Sequence, residues 1–204
     1  MSDNDNIFLY DTKQALETKK ELTTFKLIDP TSPELRKQLP EFNFVKPPVD
    51  PDEFASTLVE TCKKNKGLGL SANQCGFEHR VFVMGSGEDY IACFNPKIIS
   101  TKEEAHMPEG CLSFPLLELR ITRPKTIEVE YQDWTGKVHN TTFDGLTSRI
   151  FQHELDHLNG IVYTDRVKPL ALKSGMKKVE KTYRKYFGKN MANLIKHGNQ
   201  KTNP

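Results

Sequence analysis

The hydrophobic positions of this chain change period several times between residues 50 and 190, and each change marks an element. Asp50-Pro51 supplies a helix N-cap and a first-turn proline, and Phe54, Leu58 and Cys62 then recur at helical spacing as far as Lys66. This predicts a helix that stops at Gly67. Short β-type runs follow at Arg80 to Met84, Tyr90 to Phe94, Leu117 to Ile121 and Ile127 to Tyr131, closing on the turn Trp134-Thr135-Gly136-Lys137, with a further strand expected at Thr141 to Phe143. A second helix is predicted from a cap at Thr147 to a stop at Gly160. On it Leu146, Ile150, His153 and His157 share one stripe. Beyond Arg166, Leu172, Met176, Val179, Tyr183 and Phe187 form a third helical stripe, predicted to break at Gly188. A short helix is expected at Thr12 to Leu22, and irregular chain at Phe42 to Pro51.

Composition alters this picture only at the ends. The 204 residues suffice for one substantial core, and the excess polarity over an ordinary globular chain lies at the two termini. The start, Met1 to Asn6, is acidic and polar, unlike a signal or transit peptide, and no apolar run nears the ~20 residues that span a bilayer. A soluble, cytoplasmic protein without a membrane partner is the expectation. From Lys168 onward ten Lys or Arg face a single acid, Glu180, whereas the rest of the chain is net acidic, which points to an anionic partner for the tail. Cys62, Cys75, Cys93 and Cys111, without a secretory signal, read as reduced thiols.

The chemistry lies in His153-Glu154-Leu155-Asp156-His157. Histidines at i and i+4 project side by side from a helix and can chelate one ion, with Glu154 beside it as proton carrier. The third ligand decides the class. Metzincin-type peptidases would need a histidine where this chain has Tyr163, and a thermolysin-like site would need a downstream glutamate, for which only Glu180 in a basic run is available. Upstream, Cys111 in Glu109-Gly110-Cys111-Leu112-Ser113 can complete a site of one sulfur and two nitrogens. The segment Gly67-Leu68-Gly69-Leu70-Ser71-Ala72 also matches a dinucleotide fingerprint, but it follows a polar helix end rather than a buried strand, so that reading fails.

With Gly67-Leu68-Gly69-Leu70-Ser71-Ala72-Asn73-Gln74, these segments resemble, in order, the three motifs of peptide deformylases, a resemblance spanning about residues 26 to 166. It implies Cys111, His153 and His157 as ligands of one divalent ion, Fe²⁺ first, with Zn²⁺, Ni²⁺ or Co²⁺ as alternatives. It also implies Glu154 as acid–base group, Gln74 and the Leu112 N–H as oxyanion donors, and N-formylmethionyl peptides as substrates. Leu68, Gly69, Gly110, Leu146 and Ile150 are the expected lining of the methionine slot, while Glu109, Asp156 and Arg123 are expected to orient the ligands. The division implied is an N-terminal extension at 1–25, a catalytic domain at 26–166 and a basic C-terminal helix and tail at 167–204. The fold class is α+β, with antiparallel or mixed sheets packed around the metal-binding helix. In bacterial members a basic C-terminal helix is associated with the ribosome. The chain departs from the pattern at Ser71, where alanine is usual, and at Leu116-Leu117-Glu118, where a basic residue is common, so contacts beyond formylmethionine do not carry over. A zinc endopeptidase and a non-catalytic protein with a structural metal remain the alternatives.

Overall fold

The computed structural model describes residues 23–198, with side chains as far as 186; the helix expected at Thr12 to Leu22 lies outside them. The elements are helix α1 (Pro51–Lys64), strands β1 (Gly69–Ser71), β2 (Val81–Ser86), β3 (Asp89–Cys111), β4 (Phe114–Gln132) and β5 (Val138–Asp144), then helices α2 (Gly145–Leu158) and α3 (Pro169–Gly198). The five strands form one antiparallel sheet in the order β1-β2-β3-β4-β5, giving the expected α+β class.

The run Val81 to Met84 is apolar at every position because both faces of β2 are covered. Val81 and Val83 pack into a cluster with Phe54, Leu58 and Cys62 of α1. Phe82 and Met84 point the other way, onto Phe151, Leu155 and Leu158 of α2. The sheet is thus a layer between two helices, and α2 is buried on nearly every side.

Helix α1 begins as predicted: Asp50 accepts a hydrogen bond from the Glu53 N–H at 2.9 Å, and Pro51 occupies the first turn. Helix α2 starts earlier than predicted, at Gly145 rather than near Thr147. Gly145 (φ +56) makes the sharp turn out of β5 in a conformation that a β-branched threonine resists. Its other end follows the prediction, with Gly160 (φ +72) donating to His157 O at 3.1 Å and Ile161 to Asp156 O at 2.9 Å.

Two further expectations are corrected. Leu117 to Ile121 and Ile127 to Tyr131 belong to one strand, β4, and β3 continues well past Phe94 to Cys111. In addition, α3 passes through Gly188 without a break. Its stripe of Leu172, Met176, Val179 and Tyr183 packs beside Leu117, Leu119 and Tyr163. Gly175 permits that approach, since a Cβ there would lie 2.9 Å from Leu117 Cδ1. No helix among the described residues is long and apolar enough to cross a membrane.

Candidate metal centre and substrate cavity

Three donors from two elements meet beneath a cavity of about 670 Å³. Cys111 is the last residue of β3, before the two-residue turn Leu112-Ser113, while His153 and His157 project from successive turns of α2. Their ligand atoms all lie within 4.8 Å of one another, with Cys111 Sγ 3.3 Å from His157 Nε2. Among the described residues this group contains three members and no fourth. The Tyr163 ring packs beside His153, with 5.4 Å between ring centroids, but its hydroxyl donates to Leu117 O at 2.8 Å, and Glu180 accepts from Arg184 on α3.

The electrostatics favour a cation at this point. Burial alone would depress His153, but the Cys111 sulfur on one side and the Glu109 carboxylate on the other outweigh it and hold the ring up at about 10. Burial pushes His157 well below the ordinary imidazole range, with His153 beside it acting in the same direction, so its ring is neutral and has a lone pair to give. Glu109 Oε2 lies 3.0 Å from His153 Nδ1, which leaves the opposite nitrogen for the ion. A thiol sulfur and two imidazoles suit a late first-row divalent metal.

Glu154 is buried, and burial raises its carboxyl above the usual carboxylate range. One of its oxygens, Oε2, accepts from Ser71 Oγ at 2.6 Å. The other, Oε1, occupies the space that a side chain at residue 69 would need, so Gly69 is required for Glu154 to reach the cavity. Gln74 is held at both ends of its amide: Oε1 accepts from the Ser71 N–H at 2.9 Å, and Nε2 donates to Ser113 Oγ at 3.0 Å while lying 3.4 Å from Cys111 Sγ.

Leu68, Gly69, Gly110, Leu112, Leu146 and Ile150 all line the cavity. They differ in depth, however. Leu146 is 53% and Leu68 44% exposed, so these two rim the mouth, and Ile150 lies deeper.

Glu109 and Asp156, the acids expected to orient the ligands, are buried rather than paired at the surface. Arg123 donates to Glu109 Oε1 at 2.6 Å and to Asp156 Oδ2 at 2.6 Å, joining β3, β4 and α2, and Arg166 closes on Asp156 from outside. These guanidinium and imidazole donors hold the Glu109 carboxyl far below its ordinary value despite its burial. Two contributors are not evident from the sequence. Ser71 stands out there only as a departure from alanine. Arg149 gives one usable signal, a charge four residues before His153 on an apolar helix face.

The polypeptide deformylase family model matches residues 9–173. A peptide deformylase of Thermotoga neapolitana is 42% identical over 113 residues, covering 55% of this chain and 69% of that protein. One from Erythrobacter litoralis is 36% identical over 178 residues, covering 70% and 92%. The crystal structure of a class I type b peptide deformylase from Acinetobacter baumannii with Met-Ala-Ser bound superposes with a TM-score of 0.67 at 25% identity, covering 71% of this chain and 99% of that one. A cysteine–histidine–histidine centre beside a buried glutamate, on this fold and with these relatives, leads to one conclusion: the chain belongs to the polypeptide deformylase family.

Proposed function

We propose that this chain removes the formyl group from N-formylmethionyl peptides by hydrolysis, releasing formate, with a divalent ion held by Cys111, His153 and His157. The observation that carries the reading is the convergence of three donors within 4.8 Å at the floor of a cavity that Glu154 also lines. When bound, the ion supplies Lewis acidity, polarising a carbonyl and lowering the pKa of water from about 15.7 to about 7.

The chain's own groups do the rest. With Oε2 occupied by Ser71, Glu154 takes up the proton of the attacking water at Oε1 and later passes it to the departing amine. The raised proton affinity of the buried carboxyl suits both transfers. The Gln74 amide, fixed through Ser71 and Ser113, offers Nε2 to the oxyanion, and the Leu112 N–H at the hairpin turn is the second donor. Leu68, Leu146 and Ile150, with the bare backbone at Gly69 and Gly110, receive the methionine side chain. Met-Ala-Ser bound to the Acinetobacter deformylase supports a product of this class.

Iron(II) is the expected ion, and zinc, nickel or cobalt suit the same donors. The test is to incubate the protein with formyl-Met-Ala-Ser and with Met-Ala-Ser and to measure formate and new amines. Formate from the first alone, lost in Glu154→Gln, is expected; no formate with any added divalent metal would refute the reading. Internal peptide cleavage would favour the endopeptidase, and a structural metal would call for a fourth protein ligand.

The basic helix α3 gives this reading a second partner, the ribosome. Lys173, Lys177, Lys178, Lys181 and Lys185 are exposed, as phosphate contacts require. Reversing these charges is expected to weaken ribosome sedimentation at low salt while leaving formate release from free peptide intact; undiminished binding sinks this part. A cytoplasmic location, or an organelle with its own ribosomes, accords with such a partner.

A further inference from the structure

The metal ligands come from two elements, Cys111 from β3 and the histidines from α2, so whatever fixes β3 against α2 sets the metal geometry. The strand ladder itself gives little help at that point. Glu109 pairs with Leu119, but Cys111 pairs with Phe114, so Pro115 to Glu118 bulge out of register against Gly110 alone, and Leu116 takes φ +66. The residue next to the sulfur ligand therefore lacks a regular partner across the hairpin.

Arg149, one turn before His153, ties α2 to the last regular part of the hairpin before this gap. Its side chain is 4% exposed. From α2 its guanidinium donates through Nη1 to Glu109 Oε1 at 2.7 Å and to Ile121 O on β4 at 2.8 Å, and through Nη2 to Ala105 O on β3 at 2.6 Å. Three acceptors on two strands are thus gripped by one planar fork, which a single ammonium could not match. Glu109, the residue so held, is also the partner of His153 Nδ1.

We propose that Arg149 is a positioning residue for the metal centre, clasping the β3–β4 hairpin to α2 so that the Cys111 sulfur and both imidazoles are set for one ion before it binds. Arg149 also lines the cavity, but its guanidinium is engaged by Glu109, Ile121 O and Ala105 O, so it acts through Glu109 and through the strand that carries Cys111. This inference rests on the metal-dependent reading above, and its test does not use deformylase activity.

The experiment is competitive Co²⁺ binding to the metal-free full-length protein against a chelator, followed by the sulfur-to-cobalt absorption band. Arg149→Met keeps an apolar stem and removes the fork. It is expected to weaken Co²⁺ affinity roughly 10–100-fold, as loss of a group that orients a ligand does elsewhere. Affinity and band equal to those of the parent overturn the proposal. So does a lower melting temperature with unchanged affinity, which a purely structural arginine would give. Should the methionine variant not fold, Arg149→Lys decides: it keeps the charge but satisfies only part of the three acceptors, so a smaller weakening is expected, and parental affinity overturns the clasp. If Co²⁺ affinity falls as expected while the parent releases no formate, the inference stands and the proposed reaction fails.

Discussion

Helices α2 and α3 pack on the same strand, β4, yet they use polar residues in opposite ways. On α2, Arg149, Gln152, His153, Glu154, Asp156 and His157 are all buried, and their charges are answered by Arg123, Glu109 and Ser71 inside the protein. Among the described side chains of α3 the lysines face solvent and only one contact stripe turns inward. An amphipathic stripe therefore accounts for α3 almost completely and for α2 only in part. Where a helix buries both its stripe and its charges, the charges need partners from other elements.

The largest effect should come from the centre of α2. Glu154→Gln is expected to lower kcat/KM on the order of 10²–10⁴-fold in the formate assay. In the parent, kcat/KM should fall as pH drops through the Glu154 pKa, with the limb above the ordinary carboxylate range because burial raises it. The stability sign runs the other way. A carboxyl whose folded pKa is raised contributes stability below its unfolded pKa, and that contribution is lost as pH rises through the folded value. At neutral pH the metal-free Glu154→Gln protein should accordingly melt no lower than the parent. A variant that loses both activity and stability would show that Glu154 is a structural group.

Next comes Asp156, which tests whether charge buried on α2 holds the fold. Asp156→Ala leaves Arg123 without one of its two carboxylates in a site where the pair is 2% and 7% exposed. Removing one member of a buried pair costs about 3–5 kcal/mol. Urea unfolding of the metal-free protein should show that loss, and a change under about 1 kcal/mol would mean that the network relaxes around the gap.

How α3 is attached gives an intermediate effect. Gly175→Leu places a side chain against Leu117 and Leu119 where even a Cβ would be tight, so overpacking should cost about 1–3 kcal/mol. Leu117 also lines the cavity, so KM for formyl-Met peptides should rise more than kcat falls. Equal loss in both would show that the strain reaches beyond the cavity wall.

The parts of this molecule legible in the sequence are those where one local pattern carries the signal. Asp50-Pro51, the apolar run at Val81 to Met84 and the Gly160 stop each follow from a few neighbouring residues. The i, i+4 histidines are equally local, and Cys111 joins them through elimination and resemblance together. Hidden features are those in which a polar residue points inward or a strand leaves the core. Arg123 interrupts the alternation of β4 because its partners, Glu109 and Asp156, lie on other elements. The middle of β3, from Ile99 to Glu104, is mostly exposed and shows no buried face, so only its pairing with β4 reveals it as strand. Arg149 and Ser71 likewise act on residues 40 and 83 positions away, a distance across which periodicity carries no information.

The smallest effect completes the contrast, because it places the same chemistry as the Asp156 pair on the outer surface of α3. Arg184 donates to Glu180 at 2.7 Å across one turn, but its side chain is 51% exposed. In that setting the attraction is screened by water and salt, and ordering a long side chain offsets much of what is left. Arg184→Ala should therefore cost about 0.3–0.5 kcal/mol, shrink further in high salt and leave formate release and Co²⁺ affinity unchanged. Parallel urea unfolding of Asp156→Ala and Arg184→Ala thus contrasts a carboxylate buried between two arginines with a single exposed pair. A loss above about 2 kcal/mol at Arg184, well beyond the range of exposed pairs, would show that α3 is tied to the body by charge and not by the stripe of Leu172, Met176, Val179 and Tyr183.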